Sequence, residues 1–293
     1  MESPSANCRA RMADGGQRTA GNGGCDLHVH TVFSDGLLTP DALVRRAQEV
    51  GLQAVAVSDH DAVGGIDPAR RVGELLSIEV VPAIEMSCIV GKQDVHVLGF
   101  YPDYHDPDLL AFLERVQQKR LERAHKIVDN LNRQGVSVDV SRVLEIARGG
   151  ALGRPHIAQA LMERGHVKTM DEAFYKFIGY HAPAYVPKME ISPLDAIGLI
   201  RKFGGIPVAA HPGSYDDDRL LDELIAAGLE GIEVYHPDHD RAMSEHLLEI
   251  ARNNQLLITG GSDCHGGRKG RIMLGEVRVP YSCLAAMKQK KGL

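Results

Sequence analysis

The sequence predicts an α/β fold: seven strands wrapped by helices and closed into a barrel, interrupted once by a helical insert. Three observations carry this expectation. From Cys25 onward short β-type runs alternate with helix-type runs, the pattern of a parallel sheet covered by helices. Seven such β-type runs can be counted, which suits a barrel. Between the fourth and the fifth, from about residue 103 to 190, the alternation stops and helical patterns follow one another. With 293 residues, 44% hydrophobic and 25% charged, the chain can bury the core of one large domain.

In chain order, residues 1–24, "MESPSANCRARMADGGQRTAGNGG", hold almost no large apolar side chain and predict a disordered tail ahead of the domain 25–293. The first strand is "DLHVH". It leads into "TPDALVRRAQEVGL", where Thr39 is a helix cap, Pro40 suits the first turn, Leu43, Val44, Ala47 and Val50 share one face, and Gly51 stops the helix. "AVAVSDH" (54–60), "EVVPAIEMS" (79–87) and "DVHVLGFY" (94–101) are the next three strands. The insert opens with a long amphipathic helix, "DPDLLAFLERVQQKRLERAHKIVDNLNRQG", with Leu121, Ala124, Ile127, Val128 and Leu131 at helical spacing. "RPHIAQALMERG" and "MDEAFYKFIG" predict two shorter helices. "IPVAAHP" (206–212), "GIEVYHP" (231–237) and "LLITGGSDCH" (256–265) complete the strands, with "DRLLDELIAAGLE" and "AMSEHLLEIARNNQ" as helices between them.

A net charge of −6 and a pI near 6.2 argue against a surface that coats nucleic acid, so any anionic ligand must find local cations. The five cysteines, Cys8, Cys25, Cys88, Cys264 and Cys283, are odd in number and lack C-x-x-C spacing. Neither a disulfide framework nor a zinc ribbon is suggested, and a reducing cytoplasm is the simplest home. No apolar run approaches the ~18 residues of a membrane span, and the N-terminus lacks a signal peptide's apolar core. The expectation is a soluble cytoplasmic protein without a stable protein partner.

The strands end in polar residues that a core would not choose: His28 and His30 with Asp35 beyond, Asp59 and His60, Glu85, His96, His211, Glu233, and Asp263 with His265. In a parallel barrel such ends converge on one face. A single H-x-H is a weak signal, since i and i+2 share a strand face for many reasons. Recurrence is stronger, because six of the chain's 14 histidines occupy these positions. Imidazoles and carboxylates packed together are costly without a compensating cation. His28, His30, Asp35, His60, Glu85, His96, His211, Asp263 and His265 supply enough donors for two divalent ions, or three if Glu85 bridges. Mixed His and carboxylate donors suit Mn²⁺, Zn²⁺ or Fe²⁺; manganese is the expected ion, and Mg²⁺ remains an alternative. Such a site attracts a phosphate dianion even on an acidic protein.

"DLHVHTVFSDG", "VSDHD", the strand-end Glu85, "VHVLGF", "AHPG" and "GSDCH", in this order, resemble the polymerase and histidinol phosphatase (PHP) family of metal-dependent phosphoesterases over about residues 25–275. The resemblance implies a distorted (β/α)7 TIM-like barrel. It implies one ion held by His28, His30, Glu85 and Asp263, a second held by Glu85, His96 and His211, and a third held by Asp35, His60 and His265. Glu233 has no ligand role in that pattern and is expected beside the ligands. The insert bearing "GRPHIAQAL", together with "APAYVP" and "GIEVYHP", resembles the small bacterial phosphoesterases that act on nucleoside 3',5'-bisphosphates and on the 5' ends of short RNA.

The expected reaction is in-line attack on phosphorus by hydroxide formed from water at the ions, without a covalent intermediate. A small phosphorylated nucleotide or short single-stranded RNA is then the expected partner. Phosphatase action on another small monoester of the histidinol phosphate type, or a metal-dependent regulatory or binding role, are the alternatives. Ser58, Ser262 and Cys264 compete as nucleophiles, but each alternates with a ligand and should point away. Arg154 and His156, in a Gly-rich loop before a helix, are candidates to grip a substrate phosphate; the plainer reading has Arg154 fastening the insert to the barrel and His156 as surface polarity. Arg268, Lys269 and Arg271 read as a solvated loop. Lys119, Arg120, Arg123 and Lys126, interleaved with acids, read as a solvent face from which Arg120 or Arg123 could lean over the site.

Overall fold

A computed structural model of the chain describes residues 23–293 apart from Lys92, Asp216 and Lys269. The expected tail lies outside the described residues but for its last two. Seven strands, β1 (Cys25–Val29), β2 (Ala54–Val57), β3 (Glu79–Val90), β4 (Gln93–Phe100), β5 (Ile206–Ala209), β6 (Gly231–Tyr235) and β7 (Leu257–Gly260), lie side by side in sequence order. Short strands such as "AVAV" and "IPVA" are buried on both faces and read as unbroken apolar runs for that reason. Val29 bridges Cys264 beyond β7, and the His30 amide donates to the Cys264 carbonyl at 3.0 Å, so the sheet nearly closes.

One strand departs from the expected parallel order. β1–β2–β3 and β5–β6–β7 pair in parallel, but β4 runs antiparallel to both its neighbours. Only Gly91, at φ +57°, and Lys92 separate β3 from β4. Two residues close a hairpin and cannot make the crossover that a parallel pair needs. The beginning of β4 therefore lies at the rim reached by the ends of the other strands.

Helices α1 (Pro40–Glu49), α2 (Ile66–Leu76), α7 (Pro193–Lys202), α8 (Asp218–Ala226), α9 (Arg241–Asn253) and α10 (Tyr281–Lys291) accompany the barrel strands. In α1 the Thr39 hydroxyl accepts from the Ala42 amide at 3.2 Å, and Leu43, Val44 and Ala47 are buried. Between β4 and α7 come α3 (Pro107–Arg133), α4 (Val140–Ala147), α5 (Arg154–Glu163), α6 (Met170–Ala173) and a single π turn, Phe174–Ile178. α3 belongs to two cores. Its first half buries Leu109, Leu113 and Val116 in the barrel core. Its second half buries Ala124, Ile127, Val128 and Leu131 in a separate cluster with Val143, Ile157, Leu161 and Ile178. This second core sits beside the rim, where the Ala151 amide donates to the Phe33 carbonyl of the loop after β1 at 2.8 Å.

Candidate metal centre

β1 alternates its side chains, so His28 and His30 share a face, and both are fully buried. Glu85 lies within β3, bridged to His60 from the loop after β2. His96, near the start of the reversed β4, arrives at the same rim from the opposite direction. His211 and Asp263 follow β5 and β7 in left-handed turns, at φ +31° and +48°, conformations uncommon for residues with a Cβ and characteristic of sites that re-aim a side chain.

Glu85 is the hub. Its Oε2 lies 3.1 Å from His28 Nε2, 3.2 Å from His30 Nε2 and 3.1 Å from His60 Nδ1. Its Oε1 lies 3.0 Å from His96 Nδ1 and 3.2 Å from His211 Nε2. Asp263 Oδ1 is 3.1 Å from His30 Nε2, and Asp35 Oδ1 is 3.3 Å from His265 Nε2. Donor atoms within 4.8 Å of one another form three groups: His28, His30, Glu85 and Asp263; His60, Glu85 and His96; and His30, Asp35, His60 and His265. All nine expected side chains thus converge, and the first group is the set expected for one ion. His30 and His60 each stand in two groups, while His211 joins through Glu85 and through His96 Nδ1 at 3.2 Å.

Several of these atoms, His28 Nε2, His30 Nε2, Asp35 Oδ1, His60 Nδ1 and Glu85 Oε2, are buried without a hydrogen bond. Buried polar atoms are rarely left so. A set of imidazole and carboxylate donors facing inward fits divalent cations. The proton affinities agree. Burial alone would depress His28, yet Glu233 and Glu85 hold its pKa well above the ordinary value. His30, also buried, is held up to about 10 by Asp263 and Glu85. Burial dominates at His60, which falls to about 3. Glu85 and Asp263 stay well below the usual carboxylate range because the imidazoles around them outweigh burial. Cations entering this cluster displace protons.

Supporting residues fix the donors. Buried Glu233 accepts from His28 Nδ1 at 3.0 Å and from the His211 amide at 2.8 Å, which leaves His28 Nε2 to face the cluster. Sequence reasoning passed over His236, three residues on. Its Nδ1 accepts from the Asp238 amide at 3.1 Å, and its Nε2, buried without a hydrogen bond like the cluster atoms above, lies 3.7 Å from Asp263 Oδ2. The "YHP" after β6 was the available signal. Asp59 accepts from the Thr31 amide and from the hydroxyls of Thr31 and Ser34, pinning the loop that carries Asp35. Ser58 and Ser262 hydroxyls are committed to the Val29 carbonyl and to Asp26 respectively, and the Cys264 sulfur accepts from the Gly266 amide.

Beside the cluster opens a cleft of about 170 Å³ lined by Asp35, His60, His96, Ser87, Asp94, Arg120, Arg123, Arg154, Phe174 and Lys188. Arg154 Nη2 and Lys188 Nζ bind the two oxygens of Asp94 at 2.8 and 2.6 Å. Arg120 pairs with Asp61 and donates to the Ser87 hydroxyl at 2.9 Å, while Arg123 Nε donates to the Val186 carbonyl at 2.8 Å. Burial and the nearby Arg154 lower the Arg123 pKa to about 10.

Arg120 and Arg123 are therefore cleft residues rather than part of a solvent face; they lie where α3 leaves the barrel core after Val116 and enters the second core at Ala124. Arg154 opens α5 in the cleft wall, whereas His156 is buried outside that wall, its Nδ1 accepting from the Gly153 amide at 3.0 Å as a cap of α5. It is not surface polarity. Arg268 is not solvated either: it donates to the Asp35 carbonyl and, at 3.0 Å, to Gln159 of the insert. Arg271 pairs with Glu276, and Lys269 lies outside the described residues. Lys188 and Asp94 were missed, although Lys188 directly follows the quoted "APAYVP".

A barrel whose rim gathers histidines and carboxylates beside a cleft lined by arginines and a lysine fits a metal-dependent phosphoesterase, the class to which the family match assigns the chain. The chain matches the PHP domain over residues 26–176 and belongs to the PHP family. A phosphoribosyl 1,2-cyclic phosphate 1,2-diphosphodiesterase of Eggerthella lenta is 33% identical, over 87% of this chain and 98% of the relative. The 5'-3' exoribonuclease Rnm of Escherichia coli is 33% identical, over 82% and 84%. A 3',5'-nucleoside bisphosphate phosphatase of Chromobacterium violaceum is 34% identical, over 88% and 93%. A Bifidobacterium adolescentis protein described as a metal-dependent phosphoesterase superposes with a TM-score of 0.85 at 33% identity, covering 92% and 96% of the two chains. Among the described residues no helix is long and apolar enough to cross a membrane.

Proposed function

We propose that this phosphoesterase hydrolyses nucleoside 3',5'-bisphosphates and, by the same geometry, acts at the 5' ends of short RNA. The observation that carries the reading is the cationic cleft opening directly onto the cluster. His28, His30, Asp35, His60, Glu85, His96, His211, Asp263 and His265 would hold two or three divalent ions, with manganese the expected one. Ions bound there supply a nucleophile from water at neutral pH and stabilise charge on the phosphoryl oxygens. The cluster accommodates the phosphate that reacts. A second phosphate on the same nucleotide finds Arg154 and Lys188 in the adjoining wall, where Asp94 now neutralises them. Binding energy from this remote group positions the reacting phosphate and raises rate as well as affinity. Glu233 keeps the His28 ring oriented, and Arg268 joins the Asp35 loop to the insert, proposed as residues 103–190.

The names of the Chromobacterium violaceum and Escherichia coli relatives support a nucleotide or RNA substrate. Cys25, Cys88 and Cys264 are buried free thiols, but Cys283 is disulfide-bonded against the expectation of no disulfide, so the cysteines lend the proposed cytoplasmic setting no support. The test is kcat/KM with Mn²⁺ for adenosine 3',5'-bisphosphate, 5'-AMP, 3'-AMP, phosphoribosyl 1,2-cyclic phosphate, histidinol phosphate and short 5'-phosphorylated RNA. The bisphosphate is expected to exceed both monophosphates. Preference for the cyclic phosphate or histidinol phosphate, or indifference to the second phosphate, would overturn the proposal.

A further inference from the structure

The insert concentrates aromatic rings, and one of them, Phe174, lines the cleft. Five of the chain's fourteen Phe and Tyr residues, Phe174, Tyr175, Phe177, Tyr180 and Tyr185, fall within twelve consecutive positions of a chain that has no Trp. They are not simply core. Phe174, Tyr180 and Tyr185 are half-buried and Tyr175 is 87% exposed, whereas the fully buried hydrophobic side chains of the second core are aliphatic. Phe174 lines the cleft together with the ligand side chains. The Arg154 guanidinium lies 5.2 Å from the Phe174 ring centroid and 5.9 Å from that of Tyr185; Arg123 lies 5.8 Å from Tyr185. Tyr180 packs on Tyr185 with centroids 4.8 Å apart.

The backbone holds these rings in place. Phe174 begins the π turn, a geometry frequent at functional sites. The Gly179 amide closes that turn on the Phe174 carbonyl at 2.7 Å, and a Cβ at Gly179 would meet the same oxygen at 2.3 Å. The Ala184 amide then ties the following loop to the Phe177 carbonyl at 3.0 Å.

We propose that Phe174, Tyr180 and Tyr185 form a stacking wall for the nucleobase of the substrate, continuous with the cations that take its second phosphate. This rests on the reading above and narrows it to a ligand carrying a base. Partly exposed rings alternating with guanidinium planes are how proteins hold single-stranded nucleotides, since every base has a π face to offer. A sugar bearing only phosphates would meet the cations and the metal cluster and leave the rings uncovered.

The experiment compares adenosine 3',5'-bisphosphate with its base-free counterpart, methyl riboside 3,5-bisphosphate, by kcat/KM in the wild-type chain and in Phe174→Leu, Tyr180→Leu and Tyr185→Leu. Wild type is expected to favour the adenosine compound about tenfold or more, and the variants to lose most of that ratio. A wild type indifferent to the base would overturn the inference. So would variants that lose equally on both compounds, because the rings would then act only by supporting Arg154. Calorimetric titration of the same pair keeps the two readings apart. If neither compound is hydrolysed, the proposed reaction falls; tighter binding of the adenosine compound, abolished in Tyr180→Leu, would still support the wall, and equal binding would sink it.

Discussion

Replacing Glu233 by Gln keeps shape and burial but removes one acceptor. In the native chain one oxygen of Glu233 accepts from His28 Nδ1 at 3.0 Å and the other from the His211 amide at 2.8 Å. A glutamine has one oxygen for two donors. If that oxygen serves the His211 amide, the new NH₂ faces His28 Nδ1 and drives the ring to the tautomer with hydrogen on Nε2, the atom 3.1 Å from Glu85. If it serves His28, two donors collide at the His211 amide, in a backbone already held at φ +31°. Either outcome weakens an ion bound by His28 or His211. Partners of this kind are worth about 10–100-fold in metal affinity, or roughly 1.4–2.7 kcal/mol. Equilibrium dialysis against Mn²⁺ with elemental analysis reads the loss, and the melting temperature of the metal-free variant checks that the fold persists. Full metal content at unchanged affinity in Glu233→Gln would refute the reasoning.

Glu85→Gln, which removes charge from an atom pair within 3.2 Å of five imidazoles, should lose at least one equivalent of metal and reduce turnover by more than about 100-fold; elemental analysis and a phosphate-release assay check both. Arg154→Ala should lower kcat/KM for the bisphosphate by roughly 10–150-fold, the worth of a charge-assisted contact, while altering 5'-AMP far less and leaving metal content intact. Chelation should lower the melting temperature by about 10 °C when the metal was present at ~1,000 times its dissociation constant, measured by calorimetry with and without a chelator. Burial holds His156 at about 4, below the ordinary 6.5 of an imidazole, so its contribution to stability is complete above pH 6.5 and is lost as the pH falls through about 4. His156→Asn, which can still accept from the Gly153 amide, should flatten the acid limb of a stability-against-pH curve over that window.

The barrel and the convergence of nine polar side chains were legible because His28, His30, His60, Glu85, His96 and His211 interrupt or end apolar runs where their polarity is conspicuous, and Asp35, Asp263 and His265 follow such runs closely. The direction of β4 was not, since "VGKQDVHV" has the same alternation whether the strand runs up or down; only the two-residue connection at Gly91 and Lys92 betrays it. Reading β4 as parallel still brought His96 to the cluster, although the residue lies near the strand's start rather than its end. The cleft wall was harder. Arg120 and Arg123 lie on a helix that looks amphipathic along its whole length, and nothing in its periodicity says that its apolar face turns from one core to another halfway. Lys188 and Asp94 meet across the gap between an extended segment and a strand, a contact that neither local pattern contains. His156 read either as a phosphate grip or as surface polarity because its partner is a backbone amide, which a sequence does not display.

The two cores also separate two tasks. Every donor of the cluster comes from β1, β3, β4 or a loop that follows a barrel strand. Half of the named cleft wall, Arg120, Arg123, Arg154, Phe174 and Lys188, comes from α3 and the segments that follow it in the insert. A change in the second group can alter what is held beside the reacting phosphate while the ligand loops keep their own supports, Asp26, Asp59 and Glu233. Relatives named for a cyclic phosphate diester, for RNA and for a nucleoside bisphosphate all match this chain at 33–34% identity across most of its length. Exchanging insert residues such as Tyr180, Tyr185 or Lys188 is therefore expected to move substrate preference more readily than any exchange in the barrel, where each ligand shares Glu85 or an imidazole with another and few can change alone.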